Sequence, residues 1–261
     1  MKIALMDSGI GLLAAAGAVR RLRPDADLVL SCDPGGMPWG PRTPEDLTAR
    51  ALDVARAAAA QRPDALIVAC NTASVHALPT LRTELEPGLP VIGTVPAIKP
   101  SAASGGPVAI WATPATTGSS YQRGLIREFA DCVDVTEIPC PGLADAVEHA
   151  DEAAVDRAVA AAAALTPRDA RAVVLGCTHY ELVTERIRAA LRERGLPPVA
   201  LHGSAGAVAA QALRRIGAAP APSAQPAGGL TVLLGGHPGD LPRAALAYAE
   251  GRLLGAVAPA R

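Results

Sequence analysis

An α/β fold, built as two pseudo-symmetric α/β domains with mainly parallel sheets, is predicted by three features of this 261-residue chain. Short, continuously apolar runs end abruptly in small or polar residues. Ala/Leu/Arg-rich stretches of helical length separate most of them, and two of the run-plus-loop segments match each other. Runs that are apolar throughout belong to strands buried on both faces, the situation of a parallel sheet covered by helices. In open sheets of this kind ligands bind beyond the carboxyl ends of the strands, so the residues just after each run are the candidate site.

The first run, residues 3–6, is closed by Asp7, Ser8 and Gly9, too early to serve as a signal-peptide core. No run of 18 uncharged apolar residues occurs, so a cytoplasmic protein without a membrane partner is expected. Residues 28–30 form the second run, followed by Cys32 and the stretch GGMPWG at 35–40. That stretch is either a source of backbone N–H groups for a carboxylate or an ordinary Gly/Pro turn. A helix is predicted over 44–61. The run 65–69 then delivers Cys70, Asn71 and Thr72, and a short run follows at 91–92. Residues 108–112 lead to Thr113 and Thr116, with a long helix expected over 144–165. Residues 173–175 deliver Cys177, Thr178 and His179. A helix over 185–194 and a last strand over 230–234 complete the series.

Composition narrows the function classes. Lys+Arg number 24 and Asp+Glu 25, a net charge of −1, which excludes nucleic-acid binding by bulk charge. Half of the residues are hydrophobic and 2% aromatic, so the core must be filled by Ala, Val, Leu and Ile, and disorder is excluded. Five cysteines, an odd number without a CxxC pair, argue against a disulfide framework and against a zinc site. The DSGIG segment at 7–11 lacks the GxGxxG pattern and no GxxxxGK[ST] occurs, so no phosphate cofactor is expected.

PDALIVACNTAS (63–74) and DARAVVLGCTHY (169–180) share one layout: buried strand, small residue, cysteine, polar residues. Upstream of each, 63 residues separate Asp7 from Cys70 and 64 separate Thr113 from Cys177, which reads as an internal duplication of about 100 residues. A strand-end cysteine taken alone is usually a buried, inert small hydrophobe. That reading suits Cys32, Cys132 and Cys140. It suits Cys70 and Cys177 poorly, because polar residues follow both. Two copies related by a pseudo-twofold axis would put one thiol on each side of a cleft.

Opposed thiols suit two-base chemistry: one thiolate removes a proton from a carbon acid while the other thiol delivers one to the opposite face. The sulfurs should then lie roughly 7 Å apart, about twice a near-attack distance. A free thiol ionises only near pH 8.5, so each cysteine needs local help, for which Asp7 and His179 are the candidates. Their simpler alternatives are a helix N-cap for Asp7 and a hydrogen-bonded loop histidine for His179. Asn71, Thr72 and Thr178 offer amide and hydroxyl groups beside helix starts, where a substrate carboxylate is favoured.

DSGIG at 7–11, CD…PWG at 32–40, ACNTAS at 69–74, ATPATTGSSY at 112–121 and GCTHY at 176–180 occur together and in order. In these the chain resembles the cofactor-independent aspartate/glutamate racemase superfamily, and within it the glutamate racemases, over essentially its full length. The resemblance implies a first α/β domain of residues 1–96 and 207–261 and a second of 97–206, with the active site in the cleft between them. It implies that Cys70 and Cys177 are the acid/base pair, that Asp7 assists the first and His179 the second, and that Glu148 supports the histidine. Substrate contacts map onto Ser8, Pro38, Trp39, Gly40, Asn71, Thr72, Thr113, Thr116 and Thr178. The implied activity is interconversion of L- and D-glutamate for peptidoglycan biosynthesis, with no cofactor and no metal; a homodimer is compatible with it.

Departures from the family pattern are Leu12 for a glycine, Trp39 for a tyrosine, Glu181 for a proline, and Pro34, Gly35 and Gly36 for Thr-Ala-Arg. GGHPGD at 235–240 only approximates the family's C-terminal motif. The catalytic set is kept while the substrate-recognition loop is changed, so aspartate or a specialised amino acid is the alternative substrate. A regulatory binding protein on the same scaffold is the alternative class. Decarboxylases of the superfamily are disfavoured, since those would be expected to keep one cysteine.

Overall fold

The computed structural model describes residues 1–256. They form two units: Met1–Val95 together with the chain from Ala205 onward, and Pro96–Ser204. Among the described residues ten strands follow one another: β1 (Lys2–Asp7), β2 (Asp27–Cys32), β3 (Ala65–Val68), β4 (Val91–Gly93), β5 (Val108–Ala112), β6 (Val135–Pro139), β7 (Ala172–Leu175), β8 (Ala200–His202), β9 (Leu230–Leu234) and β10 (His237–Gly239). The mixed α/β class with mostly parallel sheets is as the sequence predicts.

In the first unit the strand order is β10-β9-β2-β1-β3-β4, parallel throughout except for the antiparallel β10–β9 hairpin. One face of the sheet is covered by the helix Pro44–Ala59. Its Leu47, Ala51, Val54, Ala55 and Ala58 recur at helical spacing and bury one stripe against Met6, Val29, Leu66 and Val68. Thr43 starts this helix by accepting the Asp46 N–H at 3.3 Å, with Pro44 in its first turn. The helix Leu13–Leu22, with Ala14, Ala15, Ala16, Gly17 and Ala18 all buried, contacts the helices Ala205–Arg215 and Ala249–Gly255. Small residues permit that closeness: a Cβ on Gly17 would stand 2.9 Å from Glu250 Cγ.

The second unit repeats the core of the first. Its order, β6-β5-β7-β8, corresponds strand for strand to β2-β1-β3-β4, again parallel. Val108, Ile110, Ala172 and Val174 pack with Ile98 and Ala130 on one face of this sheet. Trp111 is fully buried, its indole N–H donating to Thr166 Oγ1 at 3.0 Å.

Every apolar run named above lies in a strand, although residue 69 falls just beyond β3. The helix expected over 144–165 is divided into Leu143–Glu148 and Glu152–Leu165. Ala150 adopts a left-handed φ of +53°, and the N–H groups of Ala150 and Asp151 close back onto the Val147 and Ala146 carbonyls at 3.1 and 3.0 Å. Those two bonds terminate the first helix as a Schellman motif, while Asp151 opens the next by accepting the Ala154 N–H at 3.0 Å. Strands β6, β8 and β10 fall outside the apolar runs: β6 mixes Thr and Glu into its run, and the other two are three residues long. Among the described residues no helix is long and apolar enough to cross a membrane.

Candidate active site

Cys70 and Cys177 occupy equivalent places in their two units. Each stands two residues beyond the end of its strand, β3 or β7, and each is the N-cap of a short helix, Asn71–His76 or Thr178–Glu181. Their backbones are alike, with φ/ψ of −141°/122° for Cys70 and −135°/137° for Cys177. The preceding small residue makes the same bond in both copies: Ala69 N–H donates to Met6 O at 2.9 Å, and Gly176 N–H to Trp111 O at 2.8 Å. At Gly176 a Cβ would stand 2.8 Å from that same carbonyl, so only glycine fits there. This register equates Met6 with Trp111, and hence Ser8 with Thr113 and Asp7 with Ala112, one residue off the pairing of Asp7 with Thr113 that the sequence separations suggest.

The second cysteine is served by its own unit. His179 is buried, with Nε2 2.8 Å from Glu148 Oε2 and Nδ1 3.8 Å from Cys177 Sγ. Opposite an ionised carboxylate, which can only accept, the tautomer that fits carries its proton on Nε2 and turns the Nδ1 lone pair to the thiol. Glu148 reaches this position from the last residue of Leu143–Glu148, just before the helix break. Cys140 lies near Cys177. It is 2% exposed, and burial, reinforced by the charge of Cys177, pushes its thiol up to about 12. Cys140 and Cys32 fit the inert reading, both being buried, whereas Cys132 is exposed.

Asp7 ends β1, the strand hydrogen-bonded beside β3, so its buried carboxylate belongs to the same sheet edge as Cys70. Its Oδ1 accepts the Ser8 N–H at 2.7 Å and lies 3.4 Å from Ser8 Oγ. The N-cap of the following helical turn is Gly9. Asn71 is buried and Thr72 half-buried at the start of the helix after Cys70; Thr178 is buried after Cys177. Thr113 and Thr116 lie on the loop leaving β5 with their hydroxyls 3.2 Å apart.

In the loop after β2, Pro38 is exposed, Gly40 half-buried and Trp39 1% exposed. The Trp39 indole is part of the core of its unit, which leaves its backbone for any ligand contact. The turn reading of GGMPWG is also realised, since Gly36 and Met37 N–H groups close on the Asp33 carbonyl at 3.0 and 3.1 Å.

Two supporting carboxylates escaped the reading from sequence. Asp33 accepts the Trp39 indole N–H at 3.0 Å. Glu137 on β6 accepts Gly118 N–H at 2.8 Å and Gln122 Nε2 at 2.6 Å, bracing the loop that carries Thr113 and Thr116. Both follow or lie in the strand next to the central one of their unit, a relation that strand order alone discloses. Glu181 braces a neighbouring loop, its carboxylate accepting the N–H and hydroxyl of Ser204 at 2.7 and 2.8 Å.

The family model for Asp/Glu/hydantoin racemases matches residues 13–212. The glutamate racemase of Roseiflexus sp. is 39% identical over 195 residues, covering 72% of this chain and 70% of that protein. The glutamate racemase of Pseudomonas putida strain F1 is 34% identical over 223 residues, covering 83% and 82%. Among solved structures, Escherichia coli glutamate racemase, in complex with L-glutamate and the activator UDP-MurNAc-ala, is similar with a TM-score of 0.78 and 27% identity, covering 94% of this chain and 91% of that one. The duplicated strand-end cysteines thus stand within a match that spans most of the molecule, and the chain belongs to the Asp/Glu/hydantoin racemase family.

Proposed function

We propose that this racemase interconverts L- and D-glutamate, with Cys70 and Cys177 exchanging the α-proton on opposite faces. The observation that carries the mechanism is the equivalence of the two cysteines: same strand end, same N-cap backbone, same hydrogen bond from the residue before. The substrate is supported by the two glutamate racemases that share 39% and 34% identity with the chain.

In one direction the Cys70 thiolate takes the α-proton, the carbon becomes a planar carbanion, and the Cys177 thiol returns a proton to the other face. The reverse direction exchanges the roles. Each transfer requires its sulfur within roughly 3.5 Å of the same α-carbon. His179 accepts and returns the Cys177 proton through Nδ1, and the Glu148 carboxylate stabilises the imidazolium that forms meanwhile. Asp7 serves the corresponding need at Cys70. Asn71, Thr72, Thr113, Thr116 and Thr178 with Ser8 hold the α-carboxylate and amine, and the backbone of Pro38, Trp39 and Gly40 meets the distal carboxylate. A homodimer and a role in supplying D-glutamate for peptidoglycan accompany this reading.

Incubation with L-glutamate in deuterated water should yield D-glutamate labelled at the α-carbon. Absence of both product and label defeats the glutamate assignment. A second reading, aspartate or another amino acid as substrate, is favoured by the altered loop at Pro34, Gly35, Gly36 and Trp39. It predicts label in that amino acid and none in glutamate.

A further inference from the structure

The loop that carries Pro38, Trp39 and Gly40 is rooted on a buried carboxylate for which the proton transfers have no use. Asp33 is 9% exposed; its Oδ2 accepts the Trp39 indole N–H at 3.0 Å and faces Arg50 Nη1 at 3.3 Å. Arg50 continues to Asp46 at 3.3 Å, Asp46 to Arg42 at 2.7 Å, and Arg42 Nε donates to the Gly36 carbonyl at 2.6 Å. The chain of contacts closes on the loop it started from, tying Asp33 and Gly36 to Asp46 and Arg50 of the helix Pro44–Ala59.

Two of the departures noted in the sequence, Gly36 and Trp39, meet on this one carboxylate. A Cβ on residue 36 would overlap the Asp33 carboxylate and stand 2.6 Å from Arg50 Nη1. A buried indole, for its part, needs an acceptor for its N–H. Glycine at 36 admits the carboxylate, and the carboxylate seats the indole. The two changes are physically one.

We propose that Asp33 is a positioning residue for the substrate: through Trp39 and Arg50 it fixes the backbone of residues 38–40 where the distal carboxylate of the amino acid is held, and Gly36 is the residue that admits this clasp. The proposal rests on the function given above and adds to it how the recognition loop keeps its shape.

The test uses the full chain with Asp33→Ala, Asp33→Asn and Gly36→Ala. Steady-state rates with L-glutamate are combined with Trp39 emission read in a Trp111→Phe background. Losing a charged hydrogen-bond acceptor that only orders the binding loop raises KM about tenfold, with kcat held within about threefold. That split, with a red-shifted Trp39 emission, is expected for Asp33→Ala and for Gly36→Ala, which tests the same clasp should Asp33→Ala fail to fold. Asp33→Asn keeps an acceptor for the indole and should recover part of the KM. Unchanged KM and emission in both alanine variants overturn the proposal, as does a loss confined to kcat. A wild-type protein inert towards glutamate counts against the function and not against the clasp, whose emission shift is read without substrate.

Discussion

At the scale of single residues, the proposed role of Cys177 calls on two groups that the chain brings from separate elements. His179 arrives with the cysteine, two positions on, while Glu148 is 31 residues away in sequence and meets the imidazole at 2.8 Å. Glu148→Gln removes the charge that stabilises the imidazolium. Hydrogen bonds to charged groups are worth about 1.5–3 kcal/mol, so kcat should fall roughly tenfold to a hundredfold. The loss should vanish in a Cys177→Ser background, where the residual α-hydrogen exchange relies on Cys70; a further drop there would show general damage instead. The cysteines, Asp7 and His179 were legible because each ends an apolar run in a polar residue. Trp39 was not: nothing in PWG says that the indole turns into the core, because its acceptor, Asp33, comes within reach only once the loop folds back.

Elements are decided by their ends. The sequence from 144 to 165 is rich in alanine and carries no glycine or proline, so it reads as one helix. The structure stops it at Ala150, a residue without special backbone freedom held at φ +53°. Left-handed backbone costs an L-residue with a Cβ about 1–2 kcal/mol, part of which glycine's greater unfolded-state entropy would offset. Ala150→Gly should therefore stabilise the protein by about 0.5–1 kcal/mol and raise Tm by roughly 1–4 °C, measured by differential scanning calorimetry. A lower Tm would mean that the left-handed turn is not strained. The turn places Glu148 at a helix end beside His179, so a local departure from propensity coincides with the proposed proton relay. Asp151 is a residue type suited to a helix start, yet with Ala150 before it and Glu152, Ala153 and Ala154 after it nothing in the sequence marks a break.

The whole molecule is a duplication whose halves have diverged. Both units keep the order of four parallel strands and the cysteine after the third of them in sequence, but Asp7 is equivalent to Ala112, so the second unit has no carboxylate at that place, and in the proposed mechanism His179 and Glu148 stand in for it. With one sulfur from each unit, Cys70→Ser and Cys177→Ser should both lose racemisation, by at least the ~10²–10⁴-fold that one acid/base group contributes. Each variant should still exchange the α-hydrogen of a single enantiomer with deuterated solvent, and the two should differ in which one. The same enantiomer labelled by both, detected by chiral chromatography and NMR, would contradict one base per face. By itself the sequence determined the α/β class, the buried strands and the residues that follow them, because burial on both faces of a parallel sheet demands unbroken apolar runs and leaves polar residues only where the strands stop. Tertiary structure alone decided the strand order, the helix break at Ala150 and what the Asp33 and Glu137 carboxylates hold, since no local pattern records which strands pair, and neither an alanine stretch nor a lone carboxylate shows the hydrogen-bond partner that the folded turn or loop supplies.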